Sequence, residues 1–358
     1  MGSDDKLGFQ PDYAIAPGES LRELIDSLGM SHKEMATRLD MTEQSLVRIL
    51  NGTQPITYDT SERLELVTGT PASFWNNLEA LYREQCAKIA QHERLAADIK
   101  LLENIPLSVL RKKGFLSSTR DKTAQLKEVL QFFGVSSVSA WEDIWLNPAV
   151  AARRSVCFES RPGHAAVWIR MGELEAHDIE CAPYDKKRFK EAISRIRRLT
   201  REPPHIFVGE MRRECAASGV ALALVPEIPK VPWFGATKWL TPTKAMILLN
   251  LRGKKEDKFW FSFFHEAGHV LHDGKKQLYI NDGKQSDDSE KRADAFAAET
   301  LIPAVYDARI QAIRSHDELQ AVATELEVST GIVAGRFQFL TKKWNWFKDE
   351  IAGLAWAS

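Results

Sequence analysis

The chain has 358 residues, of which 44% are hydrophobic and 27% charged, enough to bury the cores of two or three domains. Its formal net charge of −1 names no partner, and no apolar run reaches the roughly 18 residues that a membrane span needs. The opening MGSDDKLGFQPD lacks a signal peptide's basic and apolar regions, and Cys86, Cys157, Cys181 and Cys215 form no C-x-x-C pair, so a cytoplasmic protein with reduced thiols and no membrane partner is expected.

Residues 17–83 read as a compact helical unit. Ser20 to Leu28 is amphipathic and stops at Gly29. Ser31 and Glu34 form a capping box opening a second helix, with Met35, Ala36 and Leu39 on its buried side. Thr42 caps a third helix, Glu43 to Leu50, which ends at Asn51-Gly52. Two short helices joined by a tight turn make a helix-turn-helix, whose second helix enters the major groove. Its exposed positions are Glu43, Gln44, Ser45 and Arg48; Gln44 suits adenine, and Arg48 suits guanine or a phosphate. A bundle that binds only protein is the alternative. Acidic residues outnumber basic ones about two to one over residues 1–83, which weakens any nonspecific phosphate attraction.

The stretch PGESLRELIDSLGMSHKEMATRLDMTEQSLVRILNGTQPITYDTSERLELVTGTPASFWNNLEALY resembles, along its whole length, the HigA-type antitoxin-repressors of the Xre helix-turn-helix class. That resemblance implies operator DNA bound by a homodimer, a possible cognate toxin as partner, and Thr42, Gln44, Ser45 and Arg48 as the operator-facing residues. His32 stands where Gln is common in the class, a departure at a phosphate-contact position.

From Asn76 to Glu103 the pattern is one long charged helix or two shorter ones, with a boundary at Pro106. Residues 107–202 read as helical, with stops at Gly114, Gly134 and Pro183. The basic stretch Lys186 to Arg201 could grip nucleic acid or an acidic protein, but Phe189, Ile193, Ile196 and Leu199 recur at helical spacing, which favours a helix that packs these inward and leaves its cations merely solvated. Trp141, Trp145 and Trp168 read as core, because no basic residues interleave with them.

After Pro203-Pro204, Gly219 to Val225 and Lys244 to Asn250 are short apolar runs suited to strands. The segment Ala245 to Asn250 is the candidate exposed edge for aligning an extended substrate. Trp233 to Ala236 and Trp239 line a cleft or, more commonly for such aromatics, lie buried. In FWFSFFHEAGHVLHDG, His265, Glu266 and His269 form H-E-x-x-H within an aromatic helix. Residues four apart share one helix face, so both imidazoles can reach a single metal ion, and Glu266 is placed to take a proton from a water in its open position. Burying two His and a Glu among aromatics is costly unless each finds a partner.

Asp288 to Pro303 reads as a further helix with Ala293, Phe296, Ala297, Thr300 and Leu301 on one side. Glu290, one turn before that stripe, is the better third ligand. His272 lies about 10 Å along the axis from His265, too far to share one ion. Asp294 either orients a ligating imidazole or is a plain surface carboxylate. Tyr279 and His272 are both candidates for stabilising an oxyanion. Two helices of the tail, Leu319 to Leu326 and Gly331 to Leu340, read as packing against the catalytic core.

HEAGHVLH, then EKRADAFA and Leu301-Ile302-Pro303, resembles the ImmA/IrrE family of zinc metallopeptidases over roughly the last 150 residues. The resemblance implies zinc, or another divalent cation such as manganese, on His265, His269 and Glu290, with Glu266 as catalytic base and a regulatory protein, a repressor or antitoxin, as substrate. Asp294 departs from the family, where Asn is frequent. The expected architecture is mainly α and multidomain: a helix-turn-helix bundle (1–83), a helical middle region (84–202) and an α+β zincin-like metallopeptidase unit (203–358). The alternative is an antitoxin-like repressor whose peptidase-like domain serves as a sensor or structural module and cuts nothing.

Overall fold

The computed structural model describes residues 13–146, 162–275, 278–281 and 288–356. The MGSDDKLGFQPD opening and Cys157, named above, lie outside the described residues. The described residues are 64% helical, and the chain separates into two units, one with residues up to Ile99 plus Asp121–Ala124, the other with Lys100–Arg120 and Gln125 onward.

Five helices build the first unit: α1 (Pro17–Ser27), α2 (His32–Arg38), α3 (Glu43–Leu50), α4 (Tyr58–Thr68) and α5 (Ala72–Ala97). Their starts follow from capping chemistry. The Ser31 hydroxyl accepts the Glu34 N–H at 3.2 Å, and the Thr42 hydroxyl accepts the Ser45 N–H at 3.1 Å, each satisfying a donor the helix cannot. Leu21, Ile25, Met35, Leu46, Ile49 and Trp75 form the core between them. The charged stretch after Asn76 belongs to a single helix of 26 residues, followed by a 3-10 turn over Ile99–Asn104.

The middle of the chain runs through α6 (Leu107–Lys112), α7 (Lys122–Phe133), α8 (Val138–Trp145), α9 (Pro162–Asp178), α10 (Lys186–Arg198) and α11 (Pro204–Ala216). Trp141, Trp145 and Trp168 are buried, as expected of core residues. Phe189, Ala192, Ile193 and Ile196 turn the apolar side of α10 into the core of the second unit, leaving its Lys and Arg residues exposed apart from the half-buried Arg197.

Four strands then form one mixed sheet: β1 (Val220–Leu224), β2 (Gly235–Thr241), β3 (Lys244–Leu249) and β4 (Leu278–Asn281), in the order β1-β3-β2-β4. β1 pairs parallel to β3, while β2 pairs antiparallel to β3 and to β4. The expectation of an exposed edge at Ala245 to Asn250 is therefore wrong: β3 is hydrogen-bonded on both sides and its Ala245 to Leu249 side chains are fully buried. An apolar run buried on both faces is an interior strand, and the edges fall to β1 and the short β4.

Helix α12 (Glu256–His272) packs across this sheet with Phe259, Trp260, Phe263, Phe264, Ala267 and Val270 buried. Helix α13 (Asp288–Leu301) lies beside it through Ala297 and Leu301. Helices α14 (Asp307–Ala312), α15 (His316–Leu326) and α16 (Thr330–Thr341) complete the same core with Ile310, Leu319, Val322, Val333 and Phe337, so the tail packs as expected.

Candidate metal centre and helix-turn-helix face

Helical spacing brings His265 and His269 to one side of α12, with their Nε2 atoms 3.1 Å apart. Helix α13 approaches α12 closely at Gly268, where a Cβ would meet the Ala293 Cα at 3.2 Å. That approach delivers Glu290, whose carboxylate oxygens lie 3.1 Å from His265 Nε2 and 3.3 Å from His269 Nε2. One ligand atom from each of the three residues falls within 4.8 Å of the others, and they are the sole such His/Cys/Asp/Glu cluster among the described residues. His272 is outside it, on the exposed side of α12 against Phe296, where burial and nearby Lys186 and Lys190 lower its pKa.

The other imidazole nitrogens are occupied. His265 Nδ1 lies 2.8 Å from Asp294 Oδ1, and His269 Nδ1 lies 2.6 Å from Asp273 Oδ2. A carboxylate on Nδ1 holds a proton there and fixes each ring so that Nε2 is the atom that faces Glu290. Asp294 therefore takes the first of its two expected roles. Asp273, absent from the sequence expectations, is itself fixed by the Ser289 hydroxyl at 2.6 Å and by Arg292 at 2.9 Å. Its signal was the four-residue step from His269. Tyr279 of β4 is buried and stacks on His269, ring centroids 4.5 Å apart and 13° from parallel.

Glu266 is fully buried. Thr237 of β2 donates its hydroxyl to Glu266 Oε2 at 2.7 Å, whereas Oε1 has no hydrogen-bond partner among the described residues. Gly235 keeps the space beside that oxygen open, since a Cβ there would stand 2.6 Å from it. Burial pushes the Glu266 pKa up to about 7 against the pull of the two imidazoles. Burial would also discourage charge on His265, but the hydrogen bonds that its ring donates to Asp294 and Glu290 outweigh it and raise its pKa to about 10. In return the imidazoles overcome burial at Glu290 and hold it at about 2. Four carboxylates around two imidazoles, in a desolvated place, call for positive charge where the Nε2 atoms and Glu290 converge. Two imidazole nitrogens, which would give up their Nε2 protons to a cation, and one carboxylate are a donor set suited to zinc with a position left open, so the residues fit a divalent cation.

In the N-terminal unit, of the four residues expected to face an operator, Thr42, Gln44 and Ser45 sit at the start of α3 and Arg48 in its last turn. Thr42, Gln44 and Arg48 are exposed, while Ser45 is half-buried and its hydroxyl accepts from Thr42 at 2.9 Å. Thr42 and Ser45 thus serve the cap, and Gln44 and Arg48 project freely from the helix.

The comparisons with known proteins follow the same division. A peptidase-family model, the IrrE N-terminal-like domain, matches residues 233–338, and a helix-turn-helix model matches residues 21–75. No curated protein matches the chain. Among solved structures, an addiction module antidote protein of a HigA family from Coxiella burnetii is 34% identical, covering 24% of this chain and 92% of its own, with a TM-score of 0.22. The Pseudomonas aeruginosa antitoxin HigA, solved with the higBA promoter, is 29% identical over 23% of this chain and 89% of its own, TM-score 0.22. A Pseudomonas aeruginosa protein in complex with its operator DNA is 30% identical over 22% of this chain and 85% of its own, TM-score 0.21. Residues 233–338 thus match an IrrE N-terminal-like peptidase domain and residues 21–75 a helix-turn-helix domain, each over its own part of the chain.

Proposed function

We propose that this protein is a divalent-metal-dependent endopeptidase joined to a DNA-binding transcriptional regulator, and that it cuts a regulatory protein such as a repressor or antitoxin. The observation that carries the reading is the convergence of His265, His269 and Glu290 beside a buried Glu266 that keeps one oxygen unengaged. Zinc, or a related cation such as manganese, would supply Lewis acidity that polarises a peptide carbonyl and acidifies water. His265, His269 and Glu290 would hold it. Asp294 and Asp273 keep the two imidazoles turned toward it. Glu266, anchored through Oε2 by Thr237, uses Oε1 to take the proton of the attacking water and then passes it to the leaving amine. The hydrolase occupies residues 203–358 with the apolar face of α10 in its core, the helical region 84–202 precedes it, and the DNA reader lies in residues 1–83.

On the DNA side, Gln44 and Arg48 read operator bases and phosphates, and Thr42 and Ser45 set the helix that carries them. Two copies bind two half-sites, which makes the protein a homodimer on DNA.

The test is incubation of the metal-loaded protein with the products of neighbouring genes, followed by intact mass. The wild type is expected to generate two fragments of one partner, and Glu266→Gln to slow that cleavage by about 10²–10⁴-fold while keeping its metal. An E266Q variant that cuts at the wild-type rate contradicts the mechanism. A metal-loaded wild type that cuts none of them, yet changes its operator affinity with metal or with a toxin, supports the non-proteolytic repressor instead.

A further inference from the structure

A cleft of about 840 Å³ opens beside the candidate metal centre, and its lining includes His265 and Glu290. Asp257, Phe261 and His265 line it at four-residue steps along one face of α12, so it runs from the metal centre back toward the start of that helix, over about 12 Å at 1.5 Å rise per residue. Ala295 and Ala298 of α13 and Phe339 of α16 supply apolar walls, and Trp344, 59% exposed, stands at the rim. The apolar walls suit the stem of a long side chain, and the volume leaves room for the stretch of backbone that carries it.

The distal end has a different chemistry. Asp257 Oδ1 is buried and has no hydrogen-bond partner among the described residues. Its other oxygen is pressed against α16 at Gly335, where a Cβ would stand 2.9 Å away. The neighbouring Glu256 is, by contrast, structurally engaged, accepting the Ala352 N–H at 2.9 Å. The cations along the cleft do not neutralise Asp257. Arg336 is committed to Asp307 through two hydrogen bonds of 2.8 Å, and Lys291 is solvated, 3.6 Å from Asp288. Lys258 is exposed at the surface, its stem running past Gly253. Burial raises the Asp257 pKa despite its own backbone amides and the neighbouring Lys258 and Lys255. A half-buried carboxylate with one oxygen covered and unpartnered, at the end of a largely apolar channel, gains from a cation that arrives from outside.

We propose that the cleft is a side-chain pocket for a long cationic residue of the substrate, arginine above lysine, with the methylene stem against Phe261, Ala295 and Ala298 and the charged head on Asp257. The pocket's place in catalysis rests on the proteolytic reading above, and it defines the substrate class as a protein with arginine close to the scissile bond. Arginine fits better than lysine because its planar guanidinium can meet a carboxylate through two N–H groups and is more weakly hydrated than an ammonium.

The experiment uses the full-length protein and two probes, N-acetyl-arginine amide and N-acetyl-citrulline amide, which share shape and differ in charge. Binding is read by saturation-transfer NMR. The arginine probe is expected to bind at least tenfold more tightly than the citrulline probe. Asp257→Asn should abolish that difference, and Glu266→Gln should leave it intact. Equal binding of the two probes by the wild type overturns the pocket whatever D257N does, as does a preference that survives in D257N. Because the readout needs no cleavage, a protein that prefers arginine but cuts nothing upholds the cation pocket and overturns only the proteolytic reading. One that cuts partners without regard to arginine overturns the pocket and leaves the proteolytic reading standing.

Discussion

Asp273 and Asp294 do not belong to the ligand set, yet each decides where an imidazole lone pair points. Replacing either with Asn keeps its shape while weakening the acceptor, and should lower metal affinity about 10–100-fold without unfolding the protein, as read by competition with a chelating dye; unchanged affinity would reduce them to surface carboxylates. Asp257 offers a separate check through pH. Burial raises its folded-state pKa above the unfolded value, so its contribution favours the folded state most below the unfolded pKa and is lost as pH rises through the folded one. D257N should therefore melt above the wild type at pH 8, with the gap closing as pH falls toward 5. A gap that widens on acidification contradicts the burial argument. These residues were unequally legible. His265, Glu266 and His269 follow from a five-residue spacing, and Glu290 from its place one turn before an apolar stripe. Asp273 stood at a readable four-residue step from His269 and was overlooked. Thr237 was beyond reach, because only the sheet brings a residue 29 positions away onto Glu266.

Helix α13 carries Glu290 at its start, and its far end is tied down by α10. The Arg197 guanidinium donates to the Thr300 and Leu301 carbonyls at 2.7 and 3.0 Å, the groups that a helix C-terminus leaves unpaired. Arg197→Met should lower stability by about 1–2 kcal/mol, allowing for the partial exposure of the side chain, measured as a shift in denaturation midpoint at constant slope. No shift would mean that water replaces the guanidinium at no cost. The apolar stripe of α10 was readable, since period alone separates its Phe and Ile residues from the cations. The task of Arg197 was not, because its partners lie 103 and 104 positions away. Strand order failed for a related reason. The run Lys244 to Asn250 announces a strand, but which strand lies beside which is settled by pairing, and the edge strand β4 is only four residues long. The α1 to α4 boundaries, by contrast, were written locally in Ser31, Thr42 and the glycines that end helices.

Across the whole molecule, two chemistries share one chain and should be separable. Gln44→Ala and Arg48→Ala should each weaken operator binding, by about 1–3 kcal/mol where the side chain meets a base, while metal content stays constant. Fluorescence anisotropy with promoter DNA measures the first and elemental analysis the second; wild-type affinity in both variants would remove these side chains from the interface. The two ends were legible because each contains a local motif, a capped pair of helices and an H-E-x-x-H. The core of the second unit was less so, since it also draws on α10, upstream of the Pro203-Pro204 shift in composition. The central claim is that two imidazoles on α12 and one carboxylate on α13 grasp a single cation, and its most direct test is the metal bound per chain in the wild type, Glu290→Ala and His272→Ala. The account predicts one divalent ion in the wild type and in H272A and none in E290A. Full occupancy in E290A, or loss in H272A, would contradict it.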